Sequence, residues 1–426
     1  MSVVPEEVFE LGFELESFGG RLLDGGTITS VTGIEAGVGA AGMRRSKAPD
    51  VALIAVEGTG KRACGTGVFT ANKAKAAPVL VSMGVVESGS SIEGIVANAG
   101  CANALTGEKG LEDAKAMQRA AAHVIGANED CVLVASTGII GTFLPIEAVT
   151  SAINAIAMSS SEDAGHQAAR AIMTTDRFPK ECAVGVESID GTVTVGAIAK
   201  GAAMLEPAMA TMLAFVATDA FVDPNTLRRL LRNSVSKTFN KMSVDACMST
   251  NDCVLAVATG EGPSVKFGDA VTSAVGNVLQ KGLDFVCAYL ALEMARDGEG
   301  SNRLAVLRIR GAASQSDAER VARAIASSTL VRCSLYGGDP YWGRIVAEAG
   351  SVARYFDSRA VSVWYGPFEV CRNGVATSEW HSNDLSSYMS SSEVEIVCDL
   401  GMGPFGTVRV IAALGPGYVE ENMATS

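Results

Sequence analysis

The stretch KGAAMLEPAMATMLAFVATD, residues 200–219, decides how this chain is read. A loop rich in Gly and Ala, with one proline, leads to Ala210 and Thr211, and an apolar run follows from Met212. Short apolar runs bounded by Gly or Pro are strand signals. With the strand-like GTVTVGAIAKG just upstream, the pattern predicts strand, loop, strand, with Thr211 opening the second strand. A β-branched residue is ordinary there, so on these residues alone Thr211 is a plain strand residue.

Outward from that centre, DVALIAVE (50–57), GTGVFT (65–70), PVLVS (78–82) and GIVAN (94–98) are short and apolar and predict strands. Residues 110–126 carry Leu111, Ala114, Met117, Ala121 and Val124 at helical spacing. The strand CVLVAS then runs into a glycine-containing turn at Thr137 and Gly138, and residues 162–173 read as a helix. Downstream, Pro224 sits in the first turn of a helix reaching Phe239. Residues 269–296 form the longest helical pattern, which stops at DGEG and leaves Glu299 in the turn. LAVLRIRG, AVSVWYG, FEVCRN, EVEIVCD and TVRVIAAL follow as strands among two shorter helices. Long helices interleave irregularly with many strands, which gives an α+β class of layered sheets and helices over a strictly alternating doubly wound fold.

Composition limits the partners. The 426 residues are 48% hydrophobic and 19% charged, enough apolar material for a sizeable core. The net charge of −13 repels phosphate backbones and no basic stripe overrides it, so nucleic acid is excluded as a partner. No apolar run approaches the ~20 residues of a spanning helix. The opening stretch carries Glu where a secretory or transit peptide would carry Lys or Arg. The expectation is a cytoplasmic protein without a membrane segment. Ten cysteines are scattered with no CxxC, and the three histidines, His123, His166 and His381, form no HxxxH pair. Buried thiols are the expected reading, with no metal; a Cys/His hydrolase stays open, since such partners meet only in the fold. GVGAAG at 37–42 satisfies the dinucleotide fingerprint, but MRRSKAPD follows and makes a poor helix, so no cofactor is assigned. GTGK at 58–61 lacks the spacing of a phosphate-binding loop.

From about Gly33 onward the chain resembles the ornithine acetyltransferase (glutamate N-acetyltransferase) family of arginine biosynthesis. The matching stretches are KAAPVLVS, NAGCANALTGEKGLEDAKAM, VLVASTGIIG, AIMTTDRFPK, AKGAAMLEPAMATMLAFVATDA, STND, RDGEG and GGDPYWGRI, in one order along the chain. The resemblance implies a N-terminal-nucleophile-like architecture formed by two chains after self-cleavage between Ala210 and Thr211. The products would be an alpha chain, 1–210, and a beta chain, 211–426, paired as a heterotetramer of two of each. It implies that Thr211 carries acetyl from N-acetylornithine to glutamate, and it leaves open whether acetyl-CoA is a second donor. By the same resemblance Thr137 and Gly138 stabilise the oxyanion, and Thr174, Lys200, Glu299, Asn422 and Ser426 join Thr211 in binding substrate, with Thr175 adjacent to the Thr174 position.

Physical chemistry fits that implication. A threonine hydroxyl needs a base, and a free α-amine with a pKa near ~7.7–8.0 is one at neutral pH. Only cleavage puts that amine on the residue bearing the hydroxyl. The chain also departs from the family pattern. Ala208 replaces Asn, Ala203 replaces Gly, Tyr341 replaces Asn, and YVEENMATS replaces the usual C-terminal sequence. Two alternatives therefore stay open: a relative acting on another acylated amino acid or as an amidohydrolase, and an uncleaved binding protein.

Overall fold

Proline in a first helical turn and side chains that cap helix N-termini set many of the element boundaries. Asp223 accepts from the amides of Asn225 and Thr226 ahead of Pro224, and Ser161 accepts from the amide of Ala164. The computed structural model describes residues 20–44, 46–57, 63–206, 212–265 and 274–423. The chain divides into two units: Met1–Gly201, Ala208–Asn240 and Met248–Met294 form the first, and Ala202–Pro207, Lys241–Cys247 and Ala295–Ser426 the second.

Strands and helices are numbered along the chain. In the first unit one sheet orders β1 (Gly20–Leu22), β7 (Lys180–Ser188), β8 (Gly191–Lys200), β9 (Leu213–Thr218), β11 (Cys253–Ala258) and β4 (Cys64–Phe69). Only β9 and β11 run parallel. A second sheet orders β2 (Ile34–Gly39), β3 (Val51–Val56), β5 (Gly94–Cys101) and β6 (Val132–Ile139), with β5 and β6 parallel. The helices are α1 (Ala77–Ser88), α2 (Gly107–Ile125), α3 (Ile146–Asn154), α4 (Glu162–Ala171), α5 (Pro224–Lys237) and α6 (Ala274–Arg296).

Alternation along the strands sorts the side chains into layers. Leu53, Val96, Val132 and Val134 face Met117 and Ala121 of α2 and Val149 and Ile153 of α3. Ile54, Ile95 and Leu133 point the other way, into a core shared with Ile198, Phe215 and Leu255 of the six-stranded sheet and with Ala168 of α4. The far face of that sheet is covered by α6, where Gly282 abuts Val195. The α5 residue Ser234 donates to Asp284 of α6 across 2.7 Å. Helix, sheet, sheet, helix is the resulting order, an α+β arrangement as expected.

The second unit orders β10 (Met242–Ser243), β17 (Phe405–Ala412), β12 (Leu304–Ala312), β16 (Glu393–Asp399), β13 (Ser362–Tyr365), β14 (Phe368–Arg372) and β15 (Val375–Ala376) in one sheet. Its helices are α7 (Gln315–Ser327), α8 (Thr329–Gly337), α9 (Trp342–Val352), α10 (Asn383–Tyr388) and α11 (Pro416–Asn422). Val321, Ile325, Ile345 and Ala349 pack on Leu307, Ile309, Ile396 and Ile411.

Two sequence expectations need correction. PVLVS lies in helix α1, with Pro78 in its first turn. Its buried hydroxyl at Ser82 both accepts from and donates to the backbone of Val134, each at 2.7 Å, and so satisfies the edge strand β6. Among the described residues, five helices rather than two accompany the last strands. GVGAAG begins within β2 and leads through a loop to antiparallel β3, so no helix N-terminus faces it. Of the long helical pattern, α6 covers 274–296, and 269–273 lie outside the described residues.

Candidate functional site

In the first unit, Thr137 and Gly138 end β6 beside β5, where the ladder register shifts at Gly100 and Cys101. Gly138 has φ +130°, and a Cβ there would collide with the Gly100 carbonyl carbon. Only glycine fits both demands. The buried amide of Asn251 donates to the carbonyls of Ala102 (2.6 Å) and Ser136 (2.9 Å), tying the two strand ends together.

Lys200 ends β8 and pairs in register with Leu213 of β9, so residues 201–212 connect two hydrogen-bonded strands. Its ammonium is buried and donates to Thr174 Oγ1 at 2.6 Å and Thr137 Oγ1 at 3.4 Å. The carboxylate of Asp176 stands 3.8 Å from the same ammonium. Asp176 also accepts from Lys180 Nζ (2.6 Å), from the amide of Gly201 (2.7 Å) and from that of Thr174 (2.9 Å). Burial alone would raise the Asp176 carboxyl, but Lys200 and Lys180 outweigh it and hold its pKa at about 2. Arg44 donates to the carbonyls of Arg170, Ala171 and Met173, which fixes the exit from α4 towards Thr174.

Downstream of Thr211, the amide of Met212 donates to Asp252 Oδ1 at 3.0 Å. Asp252 is fully buried, its Oδ2 has no hydrogen-bond partner among the described residues, and burial pushes its carboxyl well above the usual range.

In the second unit, Glu299 lies in the turn after α6, where its amide donates to Ala202 O at 2.9 Å. Gly300 has φ +62°, and a Cβ would collide with the amide nitrogen of Tyr418. Asn422, at the end of α11, donates to Glu299 Oε2 at 2.7 Å. Asp245 accepts from the amides of Met204, Leu205 (2.9 Å) and Cys247 (3.1 Å), with Tyr418 Oη 3.4 Å away.

Of the residues singled out from sequence, the first unit brings together Thr137, Gly138, Thr174 and Lys200, and the second brings together Glu299 and Asn422. Between the two adjacent threonines, it is Thr174 that touches Lys200. Ala210, Thr211 and Ser426, like Ala208, lie outside the described residues. Asp176, Asn251, Asp252 and Asp245 were not singled out. Their signal is the placement of acids and amides within TTD and VDACMSTND, next to matching motifs.

The ten cysteines are free and eight are buried; burial pushes Cys64 and Cys398 up to about 12, far from thiolate chemistry at neutral pH. His166 Nδ1 pairs with Glu181 at 2.9 Å. Among the described residues no group of His, Cys, Asp and Glu could hold a metal ion, and no helix is long and apolar enough to cross a membrane.

The chain is 42% identical over 356 residues to the arginine biosynthesis bifunctional protein ArgJ of Symbiobacterium thermophilum, covering 83% of this chain and 86% of that one. It is 39% identical over 412 residues to the glutamate N-acetyltransferase of Methanocaldococcus jannaschii, covering 94% and 98%. The crystal structure of ornithine acetyltransferase complexed with ornithine from Mycobacterium tuberculosis is 37% identical, covers 44% of this chain and 98% of its own, and superposes with a TM-score of 0.41. The ArgJ family pattern matches residues 35–425. The chain therefore belongs to the ArgJ family, and is an acetyltransferase of arginine biosynthesis.

Proposed function

We propose that the chain cleaves itself between Ala210 and Thr211 and then transfers acetyl from N2-acetylornithine to glutamate through an acetyl-Thr211 intermediate. The observation that carries this reading is the meeting of Thr137, Thr174 and Lys200 around one buried ammonium, with Lys200 in register opposite Leu213, two residues past Thr211. The names of its relatives support acetyl transfer to glutamate in arginine biosynthesis.

In the cleavage step the Thr211 hydroxyl attacks the Ala210 carbonyl, the C–N bond breaks, and water hydrolyses the resulting ester. The freed α-amine then takes the hydroxyl proton as Thr211 Oγ1 attacks the acetyl carbonyl. Thr137 and Gly138 donate to the oxyanion, a contribution of about 3–4 kcal/mol per donor. The amide bond breaks, the proton passes to the leaving ornithine amine, and the glutamate amine attacks the ester and restores Thr211. Lys200 would meet the α-carboxylate and Glu299 the ammonium, with Thr174, Asn422 and Ser426 also among the residues that bind substrate. The proposal includes a cytoplasmic heterotetramer of two alpha and two beta chains.

Mass spectrometry of the purified protein tests it. Two chains that part at Ala210–Thr211, and an acetyl group on Thr211 after incubation with N-acetylornithine, are expected. Thr211→Ala is expected to stay in one piece. Active wild-type protein that runs as a single full-length chain would overturn the reading.

A further inference from the structure

The ammonium of Lys200 has a consequence for the hydroxyls it touches. An ammonium only donates hydrogen bonds. A hydroxyl oxygen that accepts from it must aim its own proton elsewhere. Thr174 Oγ1, at 2.6 Å, and Thr137 Oγ1, at 3.4 Å, are both so placed. The buried positive charge also draws electron density from both oxygens and makes each O–H a stronger donor, an effect that a low-dielectric interior amplifies.

Asp176 holds this arrangement in place. Its carboxylate accepts from the amides of Thr174 and Gly201, which flank the two ends of the contact, and stands 3.8 Å from the Lys200 ammonium. Its second ammonium partner, Lys180, is buried with it at 2.6 Å. One carboxylate therefore fixes both the charge of Lys200 and the backbone that carries Thr174.

We infer that Lys200, held by Asp176, orients the Thr137 hydroxyl as an oxyanion donor and strengthens it, and so acts on the acetyl transfer step itself and not only on a substrate carboxylate. Lys200 is in this respect a positioning residue acting through Thr137. The inference rests on the reading of Thr211 as the acetyl-carrying nucleophile.

The two roles separate with a donor that has no carboxylate. p-Nitrophenyl acetate can acetylate Thr211 with release of nitrophenolate, and its carbonyl develops the same oxyanion. Lys200→Met is expected to slow this acetylation, counted per cleaved chain, by about 10- to 100-fold. With N-acetylornithine the same variant is expected to lose kcat by a similar factor. Lys200→Gln, which keeps a donor without the charge, is expected to fall between, and is read in the same way if Lys200→Met gives no cooperative thermal melt. Adding Lys200→Met to Thr137→Val is expected to change the rate by less than about twofold, because the second change acts through the hydroxyl already removed. Acetylation by p-nitrophenyl acetate at the wild-type rate, with only KM for N-acetylornithine raised, would overturn the inference, and so would full multiplication of the two effects. Thr211→Ala separates the failures: if it is acetylated at the wild-type rate, it is the nucleophile assignment that is wrong.

Discussion

Asn422 donates from its side-chain amide to Glu299 Oε2 at 2.7 Å, and the same nitrogen also donates to the carbonyl of Tyr418. A neutral donor orients the carboxylate without cancelling its charge. Glu299 therefore keeps its capacity to pair with a cation while its direction is set by α11. Asn422→Ala is expected to raise KM for N-acetylornithine about tenfold with little change in kcat, and Glu299→Gln to raise it further, since that change removes the charge itself. Steady-state kinetics of both variants check this. Unchanged KM values would remove the pair from substrate recognition.

Gly138 combines a positive φ with a backbone neighbour that leaves no room for a Cβ. Gly138→Ala is expected to cost about 1–3 kcal/mol of stability. Because the strain falls beside Thr137, acetyl transfer should drop by about 100-fold or more. Urea unfolding gives the first number and initial rates the second. A variant that keeps wild-type rates would show that the end of β6 does not shape the oxyanion donors.

Asp176 has its pKa held at about 2, below its value in an unfolded chain. Its stabilising contribution is therefore complete above about pH 4 and is lost as pH falls through about 2. Asp176→Asn leaves two ammonium groups without their shared carboxylate and should cost about 3–5 kcal/mol at neutral pH. Unfolding measured between pH 7 and pH 5 should show the variant less stable by a constant amount, with the difference narrowing as pH falls below about 4. Equal stability at pH 7 would contradict the ion-pair account.

Asp252 behaves in the opposite sense. Burial raises its carboxyl, so the native state keeps a proton that the unfolded state has released. Stability attributable to this group falls as pH rises from the ordinary carboxylate range towards the raised value. Asp252→Asn retains an acceptor for the Met212 amide and cannot ionise, so its stability should be flatter with pH over that window. Thermal melts of both proteins at a series of pH values test the slope. A parallel pH dependence would show that the Asp252 carboxyl is not buried in the way described.

Much of the frame was legible in residues 50–57, 94–98, 191–200 and 213–218, where apolar runs between glycines became buried strands. PVLVS misled because a helix buried on several sides carries the same apolar run as a strand. Its proline in the first turn was the better guide. The second unit hid three of its five helices because short helices such as Asn383–Tyr388 span too few turns to display a period.

For the candidate site, the colinear motifs from KAAPVLVS to GGDPYWGRI were enough to place the chain in its family and to point to Thr137, Gly138, Lys200 and Glu299. The sequence alone determined the family, because those motifs constrain residue identity in order along the chain. What only the tertiary structure decided is which of these side chains touch. Lys200 meets Thr174 and Thr137 across 26 and 63 residues of chain. Asp176, Asn251 and Asp252 acquire their roles from burial, and a polar residue in a loop looks solvated until the fold removes its water. Folding supplies that step, because a charge or amide shielded from solvent must find a partner or shift its protonation, and the partners lie far away in sequence.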